Sequence, residues 1–195
     1  MAEKDSSEEN KDYLSGKLLI ATPSIGDPRF DHSVILMCDH SSEHAMGIIL
    51  NKPVEGLRMP DLFEQLGVES DLVAPDRPVM LGGPVDSDRG FVLHSTDFSK
   101  EGSTLPVGTT LGLTATKDAL EAIASASPPR HSLLALGYAG WGPGQIEDEL
   151  ASNAWLIVDA DEAIIFCEDG VDQWEKALGK IGVSPEHLSS STGHA

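Results

Sequence analysis

Basic residues are what this 195-residue chain has least of: 13 Lys and Arg stand against 32 Asp and Glu, for a formal net charge of −19. None falls between Arg130 and Lys176, while the stretch from Glu147 to Glu175 carries ten carboxylates. Nucleic-acid binding rests on a basic face that neutralises phosphates, and no candidate face is visible. The same charge repels anionic membrane surfaces. Cysteine is nearly missing too. Cys38 and Cys167 are too few for a disulfide framework, and each sits in an apolar, strand-like run, which reads as a buried, reduced thiol. With aromatics at 5%, the core must be aliphatic. No run approaches the ~18 apolar residues of a membrane helix, and Met1 to Asp12 lacks the apolar segment of a secretory leader. These absences set the expectation of a cytoplasmic protein with no nucleic-acid or membrane partner.

What is present reads as a polar, disordered acidic tail over residues 1–12, followed by a single domain over 13–195. Strands are expected at Lys17–Ala21, Ser33–Cys38 and Ala45–Leu50, the last two forming a hairpin. Further strands are expected at Val79–Leu81, at Gly90–His94 (reached through a turn at 86–88), at Thr110–Leu113 on an edge, and at Ser132–Leu136, Trp155–Val158 and Ala163–Phe166. Helices are expected at Pro60–Leu66, with Leu62, Phe63 and Leu66 on one face and Gly67 as its stop, at Thr116–Ser125 and at Pro143–Ser152. A last helix begins near Asp172, with Trp174, Leu178 and Ile181 as its buried stripe. Hairpins outnumber parallel crossovers, so the fold class is α/β, mixed and mostly antiparallel.

The segment Gly137-Tyr138-Ala139-Gly140-Trp141-Gly142-Pro143-Gly144-Gln145 holds four glycines and a proline and runs into a helix pattern. It reads as a shaped loop on a helix N-terminus, a geometry suited to binding. It is neither a Walker A loop nor Gly-x-Gly-x-x-Gly, so glycines serving tight turns and close packing are the plainer reading. Asp39, His40, Glu43 and His44 crowd one turn with metal-capable side chains, but the spacing fits an exposed hairpin turn better, and no metal or cofactor is assigned. His94 or His40 beside Ser33, Ser95 or Cys38 offers a base and a nucleophile, without a nucleophile elbow.

Four segments in order resemble the bacterial YqgE/AlgH family over nearly the whole chain: Thr22-Pro23 with Asp27-Pro28-Arg29-Phe30 and Ser33-Val34-Ile35; Cys38-Asp39-His40 with Ala45-Met46-Gly47-Ile48-Ile49-Leu50-Asn51-Lys52-Pro53; Gly82-Gly83-Pro84-Val85 with Arg89-Gly90-Phe91-Val92-Leu93-His94; and the glycine segment with Glu149, Asn153 and Trp155. The closing Gly193-His194-Ala195 adds to the match. The resemblance implies one domain with a strongly curved, barrel-like sheet flanked by short helices, a bacterial cytosolic setting, and a regulator's label without an assigned reaction. Three positions depart from the family pattern: His32 and Lys52 stand where Arg is usual, and His44 where Gly is usual. If those arginines contact an anion in relatives, the contact here is weaker or pH-dependent.

Candidate ligand-binding residues are Asp27, Arg29, Ser33, His40, Asn51, Arg89, His94, Tyr138, Trp141, Gln145 and Glu149, all at expected loops or strand ends. They set the expectation of one composite polar groove in a regulatory or ligand-binding protein that acts through a protein or small-molecule partner. The alternative is a hydrolase-like enzyme with a His base.

Overall fold

The computed structural model describes residues 14–68, 75–167 and 172–188. The acidic tail and the closing Gly193–Ala195 lie outside the described residues. β1 (Lys17–Ala21), β2 (Val34–His40) and β3 (Ala45–Ile49) form an antiparallel meander, as their apolar runs predict. The chain continues through β4 (Pro53–Arg58), α1 (Met59–Leu66), β5 (Pro78–Leu81), β6 (Val85–Ser95), β7 (Thr104–Val107) and β8 (Leu111–Thr114). It ends with α2 (Lys117–Ile123), β9 (Ser132–Trp141), α3 (Gln145–Ala151), β10 (Trp155–Asp159), α4 (Glu162–Ile165), α5 (Gln173–Lys180) and α6 (Pro185–Leu188).

The strands join in the order β10-β1-β2-β3-β9-β6-β8-β7, with β4 on β5 and β5 on β9. Every pairing is antiparallel except β5 with β9. The sheet curls into a half-barrel carrying the six short helices. Continuous apolar runs arise because both faces are covered. Leu18, Ile20, Val34, Leu36 and Ile48 point into an inner cluster shared by strands on both sides of β9 and closed by α4 and α5. Leu19, Ala21, Ile35, Met37 and Ile49 point to an outer cluster with Ile146 of α3. A second outer cluster packs α1 and α2 on Val79, Val92 and Leu134.

The structure corrects several expectations. The glycine segment is no loop as far as Trp141: it is the second half of β9, and only 142–144 links to α3. Its glycines allow close approach of backbones. A Cβ on Gly83 would lie 2.0 Å from the Tyr138 carbonyl carbon, and one on Gly137 would lie 2.5 Å from the Gly83 oxygen. Gly137 also takes φ 71°, which shifts the side-chain alternation. Leu133 and Ala135 face inward before it, Tyr138 faces inward after it, and Ala139 and Trp141 join the outer core.

Ala163–Phe166 is not a strand. Asp161 accepts a hydrogen bond from the Ala163 N–H (2.9 Å) and caps α4 instead. The expected edge strand at 110–113 is β8, interior between β6 and β7, and the expected turn at 86–88 lies within β6. Leu66 and Ile181 face solvent rather than the core. Cys38 is buried, and burial pushes its thiol up to about 12; Cys167 follows α4 and is half-buried.

Candidate functional site

Residues from opposite ends of β9 line two separate clefts. The larger, about 740 Å³, lies at the start of β9 among Ser132, Leu133 and Leu134. Its floor is apolar, with Met59, Met80, Ile165 and Phe166. Its charged lining comprises Lys52, Arg58 and Arg77 against Asp76 and Asp172, with His32 at the same cleft. Among the described residues, three cations against two carboxylates is a local reversal in a chain of net charge −19.

The polar groups of this cleft are held by the backbone. Asn51 Oδ1 accepts from the Val34 N–H (2.9 Å), and its Nδ2 donates to the His32 carbonyl (2.8 Å). Lys52 Nζ donates to the Asp31 carbonyl (2.7 Å). Arg77 Nη1 donates to the Ser132 carbonyl (3.4 Å), and Arg58 pairs with Asp76. His32 sits at φ 54°, uncommon for a non-glycine residue, with its ring 4.3 Å from that of Trp174 and its Nδ1 2.9 Å from Asp31 Oδ1. Local strain of this kind gathers where a structure holds a side chain in place for a purpose.

The second cleft, about 600 Å³, opens at the other end of β9. Met46, Phe91, Leu105 and Leu113 line it with Tyr138, Arg89 and the edge of Trp141, and Asp39 and His44 stand at its β2–β3 side. The Arg89 guanidinium lies 5.2 Å from the Phe91 ring centroid, and the Phe91 and Tyr138 rings meet edge to face at 5.8 Å.

The candidate residues therefore do not share one groove. Asn51 belongs to the first cleft; Arg89, Tyr138 and Trp141 belong to the second. Asp27 and Arg29 pair with each other on the surface (2.7 Å), where hydrogen bonds from Arg29 hold the Asp27 carboxyl below its ordinary value. Glu149 is a clamp: one oxygen accepts from the indole N–H of Trp141 (2.9 Å) and of Trp155 (2.7 Å), and the other accepts from Gln145 Nε2 (2.9 Å). Trp141 is thus mainly a core plug, 5% exposed, and Gln145 and Glu149 fix α3 to β9 and β10.

His40 turns away from Asp39 and pairs with Glu147 of α3 (2.9 Å), while His44 pairs with Asp39 (2.9 Å). Ser33 is fully buried, its hydroxyl without a hydrogen-bond partner among the described residues. His94, expected at a cleft mouth, is also fully buried. Its Nδ1 faces the Ser95 carbonyl (3.0 Å) and must donate there. Burial lowers its pKa, so the ring is neutral, and Nε2 accepts from Thr114 Oγ1 (2.9 Å). Thr114 in turn accepts from Thr104 (2.8 Å), and Thr104 from the Lys100 N–H (2.8 Å). Every member of this chain is satisfied, and His94 borders neither cleft.

Arg58 escaped the sequence reading because β4 has no apolar alternation to mark it, and Arg77 because it precedes β5, outside any expected element. The scarcity of basic residues was the usable signal: three of the 13 meet at one place.

A family model described as AlgH-like matches residues 18–186. A UPF0301 protein of Caulobacter vibrioides is 53% identical over 189 residues, covering 96% of this chain and 97% of that one. One of Bradyrhizobium diazoefficiens is 51% identical, covering 94% and 89%. The solution structure of the AlgH protein from Pseudomonas aeruginosa is 38% identical, with a TM-score of 0.73 and full coverage of both chains. A Corynebacterium diphtheriae crystal structure, 18% identical with a TM-score of 0.71 over 91% and 92% of the two chains, shows the shared fold alone.

Proposed function

This chain belongs to the AlgH-like family, and from that premise we propose that it works by binding, with a small organic anion as the ligand of its larger cleft. The observation that carries this reading is the gathering of Lys52, Arg58 and Arg77 on one apolar-floored cleft of a strongly acidic chain. A cavity of this size with few, placed polar groups is the usual form of a small-molecule site. His32 and Lys52, the two positions where the family pattern often has Arg, both line it, which supports an anionic ligand and a role for the ligand in regulation. The protein is read as cytoplasmic and as acting through this small molecule rather than on DNA, since a net charge of −19 opposes phosphodiester binding.

Titration with citrate and with adenosine monophosphate at physiological salt tests the reading. At least one should raise the melting temperature, and Arg77→Ala should weaken its binding by about tenfold or more. No response to either probe, or an unchanged affinity in the variant, overturns it. Retention on heparin at physiological salt would instead favour nucleic acid.

A further inference from the structure

We propose that the cleft at the end of β9 is a second, independent binding site, for an amphipathic monocarboxylate: a small acid with one anionic head and an apolar body. Arg89 makes no hydrogen bond or ion pair among the described residues; its contact is the face of Phe91, 5.2 Å away. The Tyr138 hydroxyl likewise has no hydrogen-bond partner among them, although its ring is fixed against Phe91. Two donors are therefore held in place by aromatic packing and left unused, beside a half-open apolar surface. Val85 and Leu105, each 36% exposed, extend that surface to solvent.

The charge pattern selects the ligand. Among the described residues, Arg89 is the one Lys or Arg lining the cleft, and Asp39 the one carboxylate. Asp39, already paired with His44 at 2.9 Å, belongs to β2, whereas Arg89 belongs to β6, with β3 and β9 between them in the sheet. One anionic head is attracted on the β6 side and a second is repelled on the β2 side, which excludes polyanions. A planar carboxylate matches the guanidinium fork, and the phenol adds a third donor. The apolar body lies over Met46, Leu105 and Leu113. A cleft of about 600 Å³ falls inside the ordinary range for small ligands, roughly 300–1,000 Å³.

Octanoate tests this, with 1-octanol and octylamine as probes of the same body and different heads. Titrations of the full chain follow backbone amide shifts and binding heats near neutral pH. Octanoate should shift the amides around Arg89, Phe91, Leu105 and Tyr138 and bind about tenfold tighter than octanol. Arg89→Ala should bring octanoate down to the octanol level. Tyr138→Phe, which keeps the ring, should cost octanoate about threefold and leave octanol unchanged. Arg77→Ala, in the other cleft, should leave octanoate unaffected. The proposal falls if octanoate shifts no amides at these residues, if its shifts gather at the cleft of Arg77, if octylamine binds as tightly, or if Arg89→Ala binds like the parent.

Discussion

The two ends of β9 present the same kind of hollow with opposite use of polar side chains. At its start, Asn51 and Lys52 spend hydrogen bonds on backbone carbonyls or N–H groups, and Arg58 is paired with a carboxylate. At its end, Arg89 and Tyr138 are positioned by ring contacts and make no hydrogen bond among the described residues. The first arrangement fixes geometry before any ligand arrives, at the cost of competing for the same groups. The second leaves full hydrogen-bonding capacity but steers through a single charge. Preorganisation and spare valence are different routes to recognition, and one strand lines a cleft of each kind.

The most damaging way to break the contrast is to disturb β9, whose two ends line the two clefts. Gly83→Ala places a methyl group against Tyr138 backbone with no flexible side chain to yield. It should cost more than ~3 kcal/mol, seen as a collapse of cooperative thermal unfolding, with both proposed binding activities lost together. Retention of the parental melting temperature would mean the two ends do not depend on this junction.

Next in size is Glu149→Leu, which strands two indole N–H groups. A loss of about 1–3 kcal/mol is expected in urea unfolding. It should loosen the end cleft through Trp141 while sparing the proposed anion binding at the start.

Acid should act third. Unfolded His94 titrates near ~6.5, and burial lowers its folded pKa. Its contribution is therefore complete above the unfolded value and is lost as pH falls below it, by at most ~1.4 kcal/mol per pH unit. His94→Gln should flatten that part of the stability curve between neutral and mildly acid pH. An unchanged slope would show that folding stability is insensitive to this imidazole.

The smallest effect is on surface pairs. Arg58→Ala should cost under ~1 kcal/mol, because its Asp76 pair is exposed, and Arg89→Ala less than ~0.5 kcal/mol. Paired melting curves that reverse this order would undo the distinction between tied and free cations.

Much of the fold was legible because burial on both faces writes itself as apolar runs: β1 to β3, β5 and β10 follow directly. The capping carboxylate of Asp172, which accepts from the Trp174 N–H (2.8 Å), likewise located α5. Ala163–Phe166 misled because a four-residue apolar run has no period that separates strand from buried helix; Asp161 was the clue. Gly137 of β9 misled because it meets Gly82 and Gly83, distant in sequence, and a close approach of two backbones leaves no local signature. The candidate residues were legible as polar groups at element ends, but not which end of which strand, since that depends on the curl of the sheet. His94 and Glu149 were read as ligands for want of their partners, Thr114, Trp141 and Trp155, which only tertiary structure supplies.

Gly137 carries one consequence for how such a chain can vary. With its left-handed turn of the backbone, the odd–even count of side chains resets in mid-strand. A single-residue insertion just after it would send the Trp141 indole into the barrel interior and expel the Tyr138 phenol to the outside. Residue types in this stretch are free to drift within the limits of size, but an indel is not a neutral event there. Between Ser132 and Trp141, chain length is the quantity that inheritance has to keep.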